Sequence, residues 1–260
     1  MKCGEIIKIL EKKYTPSFAE NWDNVGLLAG DREQEVKKVF LSLDVTDETL
    51  KSAVDFGADM IITHHPLIFS GMKKVVEEDF IGRRIISMIR NHICYYAMHT
   101  NFDILGMADL SADYLELTER DVLEVTYQEE SRKEGLGRIG LLPKKMSLKD
   151  CALHVKNQFQ LPHVTVYGDM DKAVERAAIC TGSGKSLMKD VLAKDVDVYI
   201  TGDVDYHTAI DAVAQGVSII DAGHYGTEYI FMEYMEKELK ASFPELEIEK
   251  MKVIHPCTVL

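Results

Sequence analysis

Six side chains in three short motifs offer nitrogen and oxygen donors. His64 and His65 stand side by side in THHP, at the end of an apolar run where Pro66 stops a strand and forces a turn. His99 and Asp103 are four residues apart, and so are His224 and Glu228. On a helix that spacing puts both side chains on one face, a common way to offer two ligands to one ion. Four imidazoles and two carboxylates without a thiolate suit zinc, iron, manganese, cobalt or nickel. Six donors exceed what one zinc ordinarily takes and fit two divalent metal ions per chain, with positions left for a substrate. A lone His-x-x-x-acid pair is usually an ordinary surface contact, but two of them beside a His-His strand end are harder to explain that way. In a regular strand His64 and His65 would face opposite sides, so they share a site only where the chain has left the sheet, or else serve two separate ions.

Other polar residues near these motifs carry weaker readings. Asp203 and His207 repeat the four-residue spacing. Their simplest reading is an Asp that caps the next helix and a surface His, with a role behind the metal ligands or in proton transfer as the alternative. Tyr225 adjoins His224, and His207 and Tyr225 are the catalytic candidates. TGSGKS (181–186) has part of a phosphate loop, but a full one needs Gly where Ile179 stands. Anion binding by backbone amides at the start of its helix is the remaining reading. Asp44 ends a strand and either faces the site or caps the next helix, and Trp22-Asp23-Asn24 before a Gly also reads as a plain turn.

Short β-rich runs alternate with amphipathic stretches, the pattern of an α/β protein. Strands are expected at 38–45, 59–65, 93–100, 176–182, 196–203 and 217–224, with helices near 47–56, 79–91, 107–116, 185–194, 206–215 and 226–241. The stretch 121–170 reads as three more strands and a helix near 147–159, a bridging region or an edge extension. An internal repeat ties the motifs together: 40–65 aligns with 178–203 at an offset of 138, each copy being strand, turn, helix, strand. His99-x-x-x-Asp103 aligns with His224-x-x-x-Glu228 at an offset of 125, which leaves PLIFSGMKKVVEE as extra residues in the first copy. The expected organisation is a first lobe over 1–125, to which the C-terminal segment can return, and a second over 126–260.

The formal charge of -13 argues against nucleic-acid binding, which draws on clustered Lys and Arg. No apolar run approaches a membrane span, the first residues do not form a signal peptide, and five dispersed cysteines give neither a disulfide framework nor a thiolate zinc site. A cytoplasmic protein is expected.

ENWDNVGLLAGD (20–31), LDVT (43–46), ITHHPLIF (62–69), MHTNFD (98–103), ITGDVDYH (200–207) and DAGHYGTE (221–228), in that order, resemble the Nif-three-like family, the GTP cyclohydrolase I type 2 homologues. The resemblance implies two related α/β lobes with mixed sheets, a dinuclear metal site at their junction, and a homohexamer whose sites face a central cavity. It places the metal ligands at His64, His65, His99, Asp103, His224 and Glu228. Some relatives carry an inserted middle domain, which a 260-residue chain is expected to lack. The expected function is metal-dependent hydrolysis of a small-molecule substrate, GTP or another nucleotide or phosphorylated compound, with one ion lowering the pKa of water and the other polarising the group attacked. The alternative is a non-enzymatic metal-binding adaptor or regulatory protein.

Overall fold

The opening residues form a helix that the strand and helix assignment above omits. α1 (Cys3–Lys13) buries Cys3, Ile6, Ile7 and Leu10 along one face, while its lysines face outward. The computed structural model describes residues 1–130 and 132–259. After α1 come β1 (Gly26–Ala29), β2 (Lys38–Ser42), α2 (Asp47–Phe56), β3 (Met60–Thr63), α3 (Phe80–Arg90), β4 (Cys94–Ala97) and the short α4 (Thr100–Phe102). A π-helical turn over Asp103–Met107 leads into α5 (Ala108–Tyr114), followed by β5 (Thr118–Glu129), β6 (Arg132–Ser147), α6 (Leu148–Gln158), β7 (Thr165–Tyr167) and β8 (Ala173–Ser183). The chain ends with α7 (Met188–Ala193), β9 (Val198–Gly202), α8 (Tyr206–Ala214), β10 (Ser218–Asp221), α9 (His224–Glu228), α10 (Ile230–Ser242) and β11 (Glu247–Lys250).

Two compact units result, one from residues 1–102 with 229–254, the other from 103–228 with the tail from His255 on. The first boundary falls earlier than 125/126 because β5 pairs along its length with β6 and so joins the second sheet, and the C-terminal return allowed for above is β11 pairing in parallel with β2. The first sheet has the order β1-β4-β3-β2-β11 and is parallel except for β1. The second has the order β5-β6-β8-β9-β10-β7, with a parallel β8-β9-β10 centre and antiparallel flanks. The stretch 121–170 is therefore an edge extension of the second sheet. Both sheets are mixed and α/β. No helix among the described residues is long and apolar enough to cross a membrane.

The repeat is visible in hydrogen-bond register. Val39 pairs with Met60 in the first unit and Ala177 with Val198 in the second, both at the offset of 138. The Asp59 carboxylate accepts from the amides of Lys37 and Lys38, and Asp197 accepts from Glu175 and Arg176 in the same way. Gly57 ends α2 in the left-handed region at φ 73°, and its counterpart Asp195 adopts φ 53° after α7. The later offset is corrected by one residue in the strands: Thr63 pairs with Ala97 and Thr201 with Asp221, a shift of 124. The second copy then inserts one more residue before its histidine, where Gly223 turns the chain at φ 76°.

Candidate metal centre

In the first unit β3 ends at Thr63, so His64 and His65 already lie beyond the sheet and escape strand alternation. Tyr95 holds this turn: its hydroxyl donates to the His65 carbonyl and accepts from the Leu67 amide. His99 immediately precedes α4. One ring nitrogen each of His64, His65 and His99 falls within 4.8 Å of the other two, close enough to share an ion. Ring centroids are 5.0 Å apart for His64 and His65, 5.3 Å for His64 and His99, and 5.5 Å for His65 and His99.

The partners of these rings set their tautomers. His64 is fully buried, and its Nδ1 lies 2.9 Å from the Met98 carbonyl, which can only accept. His65 Nδ1 lies 2.8 Å from Asp44 Oδ1, and His99 Nδ1 lies 2.9 Å from Asp23 Oδ1. With Nδ1 donating, each neutral ring keeps its lone pair on Nε2, the arrangement by which carboxylates orient metal-binding histidines. Asp23 also accepts from the Thr100 amide and hydroxyl. Burial by itself pushes the Asp23 carboxyl upward, but the His99 and Thr100 hydrogen bonds outweigh it and hold the group at about 2.

In the second unit His224 and Glu228 bracket α9, and the four-residue spacing brings His224 Nε2 to 3.1 Å from Glu228 Oε2. His224 Nδ1 lies 2.7 Å from Asp203 Oδ2. Asp103 opens the π turn, and one of its carboxylate oxygens lies within 4.8 Å of one from the buried Glu228. Paired acids beside an imidazole form an oxygen-rich donor set suited to a divalent cation.

Asp203 does not cap α8; Asp205 does, accepting from the Thr208 amide, and Asp203 is free to hold His224. Thr46 likewise caps α2, which releases Asp44 to His65. His207 is exposed on α8 with its ring against Tyr206. Tyr225 lines a cavity of about 400 Å³ with His163, Asp203, Asp221, His224 and His255 among its other walls. Three donors of the TGSGKS segment are engaged within the unit. Gly182 N donates to Thr227, Gly184 N to Thr201, and Lys185 pairs with Asp205.

The role of Asp203 gives a first expected result: Asp203→Ala lowers metal affinity about 10- to 100-fold, the usual effect of removing a carboxylate behind a ligating histidine. Metal titration of the purified variant measures it. A second concerns pH. Burial alone would depress the His224 imidazole, but Glu228 first and Asp203 next reverse this and raise it to about 9. Against an ordinary value of 6.5, that contribution to the metal-free fold is complete below pH 6.5 and is lost as pH rises through about 9. Melting temperatures of metal-free protein are expected to fall across that window, and those of Glu228→Gln to fall less. Metal uptake at this imidazole should release a proton.

The Duf34/NIF3 (NGG1p interacting factor 3) family profile matches residues 1–256. A Clostridium perfringens protein described as a GTP cyclohydrolase 1 type 2 homolog is 33% identical over 242 residues, covering 92% of each chain. A Streptococcus pneumoniae protein of the same description is 36% identical over 240 residues, covering 90% of this chain and 88% of that one. A Bacillus subtilis relative aligns over 340 positions, more than the 260 residues here, so that protein carries sequence this chain lacks. Among solved structures, a Bacillus cereus protein related to NIF3 gives a TM-score of 0.91 at 25% identity, covering 100% of this chain and 99% of that one. Reduced HcgD from Methanocaldococcus jannaschii gives 0.82 at 31% identity, covering 97% and 98%. With a family profile matched over residues 1–256, relatives above 30% identity along most of its length and a shared fold, the chain belongs to the Duf34/NIF3 family.

Proposed function

We propose that this protein is a dinuclear-metal-dependent hydrolase acting on a nucleotide or another phosphorylated small molecule. The observation that carries the proposal is that four imidazoles each turn Nδ1 to an oxygen acceptor, so that Nε2 is the atom each would offer to an ion, with that of His224 facing the Glu228 carboxylate. His64, His65, His99, Asp103, His224 and Glu228 are the residues that would hold two divalent ions. Such ions, when bound, supply Lewis acidity and lower the pKa of water. The chain's own contribution is orientation: Asp44, Asp23 and Asp203 hold the His65, His99 and His224 rings in place through Nδ1. Tyr225 lines the cavity that His224 also lines, whose volume of about 400 Å³ falls in the range of small-molecule sites. His207 lies away from that lining and is assigned at most to proton transfer, so His207→Ala is expected to keep its metal. The nucleotide reading is supported by the description of relatives as GTP cyclohydrolase 1 type 2 homologs.

The deciding experiment screens protein loaded with zinc, iron, manganese, cobalt or nickel against nucleotides and general phosphoesters. Turnover that disappears on chelation is expected. No turnover with any metal would leave the reading of a metal-holding adaptor, which the family's description as an interacting factor favours. We also propose a cytoplasmic homohexamer, on the strength of the resemblance. Light scattering at micromolar concentration should report six chains, and a monomer would remove that part.

A further inference from the structure

Trp22 and Phe69 are 56% and 54% exposed, two large apolar rings turned to solvent beside the His64, His65 and His99 group. Their centroids are 5.7 Å apart with planes inclined at 41°. Trp22 meets the His99 ring edge-on at 5.9 Å and 74°. Neither ring sits on a loose loop. Asp23, the next residue, is tied to His99 and Thr100, and the Asn24 side chain donates to the Ile68 carbonyl, next to Phe69. The tripeptide Trp22-Asp23-Asn24 thus orients a ligand histidine and holds two aromatic faces at its side.

We propose that Trp22 and Phe69 form a stacking platform for the planar heteroaromatic base of the substrate, an assignment that rests on the reading of this protein as one that acts on a nucleotide. Exposed rings fixed in place gain little for the fold, whereas a flat base laid against them removes apolar surface from water on both partners. The ring next to the platform is His99, and His65 lies only 5.5 Å beyond it. A base stacked on Trp22 therefore leaves its sugar and phosphate within reach of the imidazole group. Because every base has a π-face, the platform selects a class of ligand and not one base.

Trp22 is the only tryptophan in the chain, so its emission reports on this position alone. Titration of the metal-loaded protein with guanosine 5′-monophosphate, corrected for absorption with a free tryptophan derivative, is expected to quench it saturably. Ribose 5-phosphate at equal ionic strength should not. By calorimetry Trp22→Ala should weaken nucleotide binding about tenfold, within the range for losing one base–aromatic stack, with metal content and ribose 5-phosphate binding unchanged. Trp22→Phe should keep most of the affinity. Absence of quenching, equal affinity for the two ligands, or nucleotide affinity unmoved in both Trp22→Ala and Phe69→Ala would overturn the platform. A changed assembly mass in Trp22→Ala with unchanged nucleotide affinity would overturn it in favour of a contact between copies. The hydrolase reading fails separately: a nucleotide that quenches Trp22 and is never turned over removes the hydrolase and keeps the platform. Phosphoester turnover whose KM ignores Trp22→Ala does the reverse.

Discussion

Glu228→Ala is expected to lower bound metal, with about a hundredfold loss of affinity, while above pH 9 the metal-free protein melts within a few degrees of the parent. The Glu228 side chain is only 4% exposed, so its charge has little help from water. Its oxygens lie 3.1 Å from His224 Nε2 and within 4.8 Å of an Asp103 oxygen. In the metal-free protein the protonated imidazole attracts the carboxylate, a contribution that is lost as pH rises through about 9. The melts are therefore compared above that pH, where removing the carboxylate no longer removes an ion pair. A divalent ion changes the balance, because both acids then face a compensating charge of higher magnitude. Elemental analysis and calorimetric melts on the same preparation separate the outcomes. Intact metal with a large drop in melting temperature would make Glu228 a structural ion-pair partner and remove it from the ligand set. Asp103→Ala should behave in the same direction.

The donor motifs and the strand-turn-helix-strand repeat were legible because each rests on local order: apolar runs of strand length, a Pro after the histidines, and a fixed spacing between acid and imidazole. The predicted helix 47–56 coincides with α2, and the offset of 138 reappears in the strand register. The carboxylates behind the histidines were harder to read. Asp23, Asp44 and Asp203 each follow or precede a turn, where an acid serves equally well as a cap, and only the presence of Thr46 and Asp205 as actual caps shows what Asp44 and Asp203 do. A signal did exist, since Thr46 and Asp205 both stand three residues before the amide they cap. The unit boundary was less accessible still. It depends on which sheet β5 joins, a pairing with β6 that its own residues do not announce, while the return of the C-terminal segment was allowed for but β11, reading EIEK with no apolar run, was not marked as the strand that makes it. The helix α1 escaped because its charged residues obscure a buried stripe of only four positions.

Gly182→Ala is expected to abolish metal binding by the second unit's donors and to destabilise the fold by about 1–3 kcal/mol, the cost of one strained residue. Gly182 has φ +64°, a conformation in which a side chain is strained whatever the space around it. Here space is also lacking: a Cβ would stand 2.2 Å from Glu228 Oε1 and 3.2 Å from His224 Nε2. The Gly182 amide donates to Thr227 within α9, so the backbone cannot retreat without breaking the turn that presents Glu228. Gly216→Ala provides the control, since Gly216 has φ +90° and nothing within 4 Å of its would-be Cβ. It should show the strain and keep its metal. The repeat explains why glycine occupies this position. At the offset of 138, Gly182 corresponds to Asp44, which holds His65 in the first unit, and Asp203 corresponds to His65 itself. The second copy thus differs at both positions: an acid stands at the strand end and holds His224, and a glycine at the Asp44 position leaves room for the Glu228 carboxylate. Elemental analysis of the two alanine variants, paired with their melting curves, checks this account. Full metal occupancy in Gly182→Ala would mean that Glu228 has other room, and that the glycine serves the turn alone.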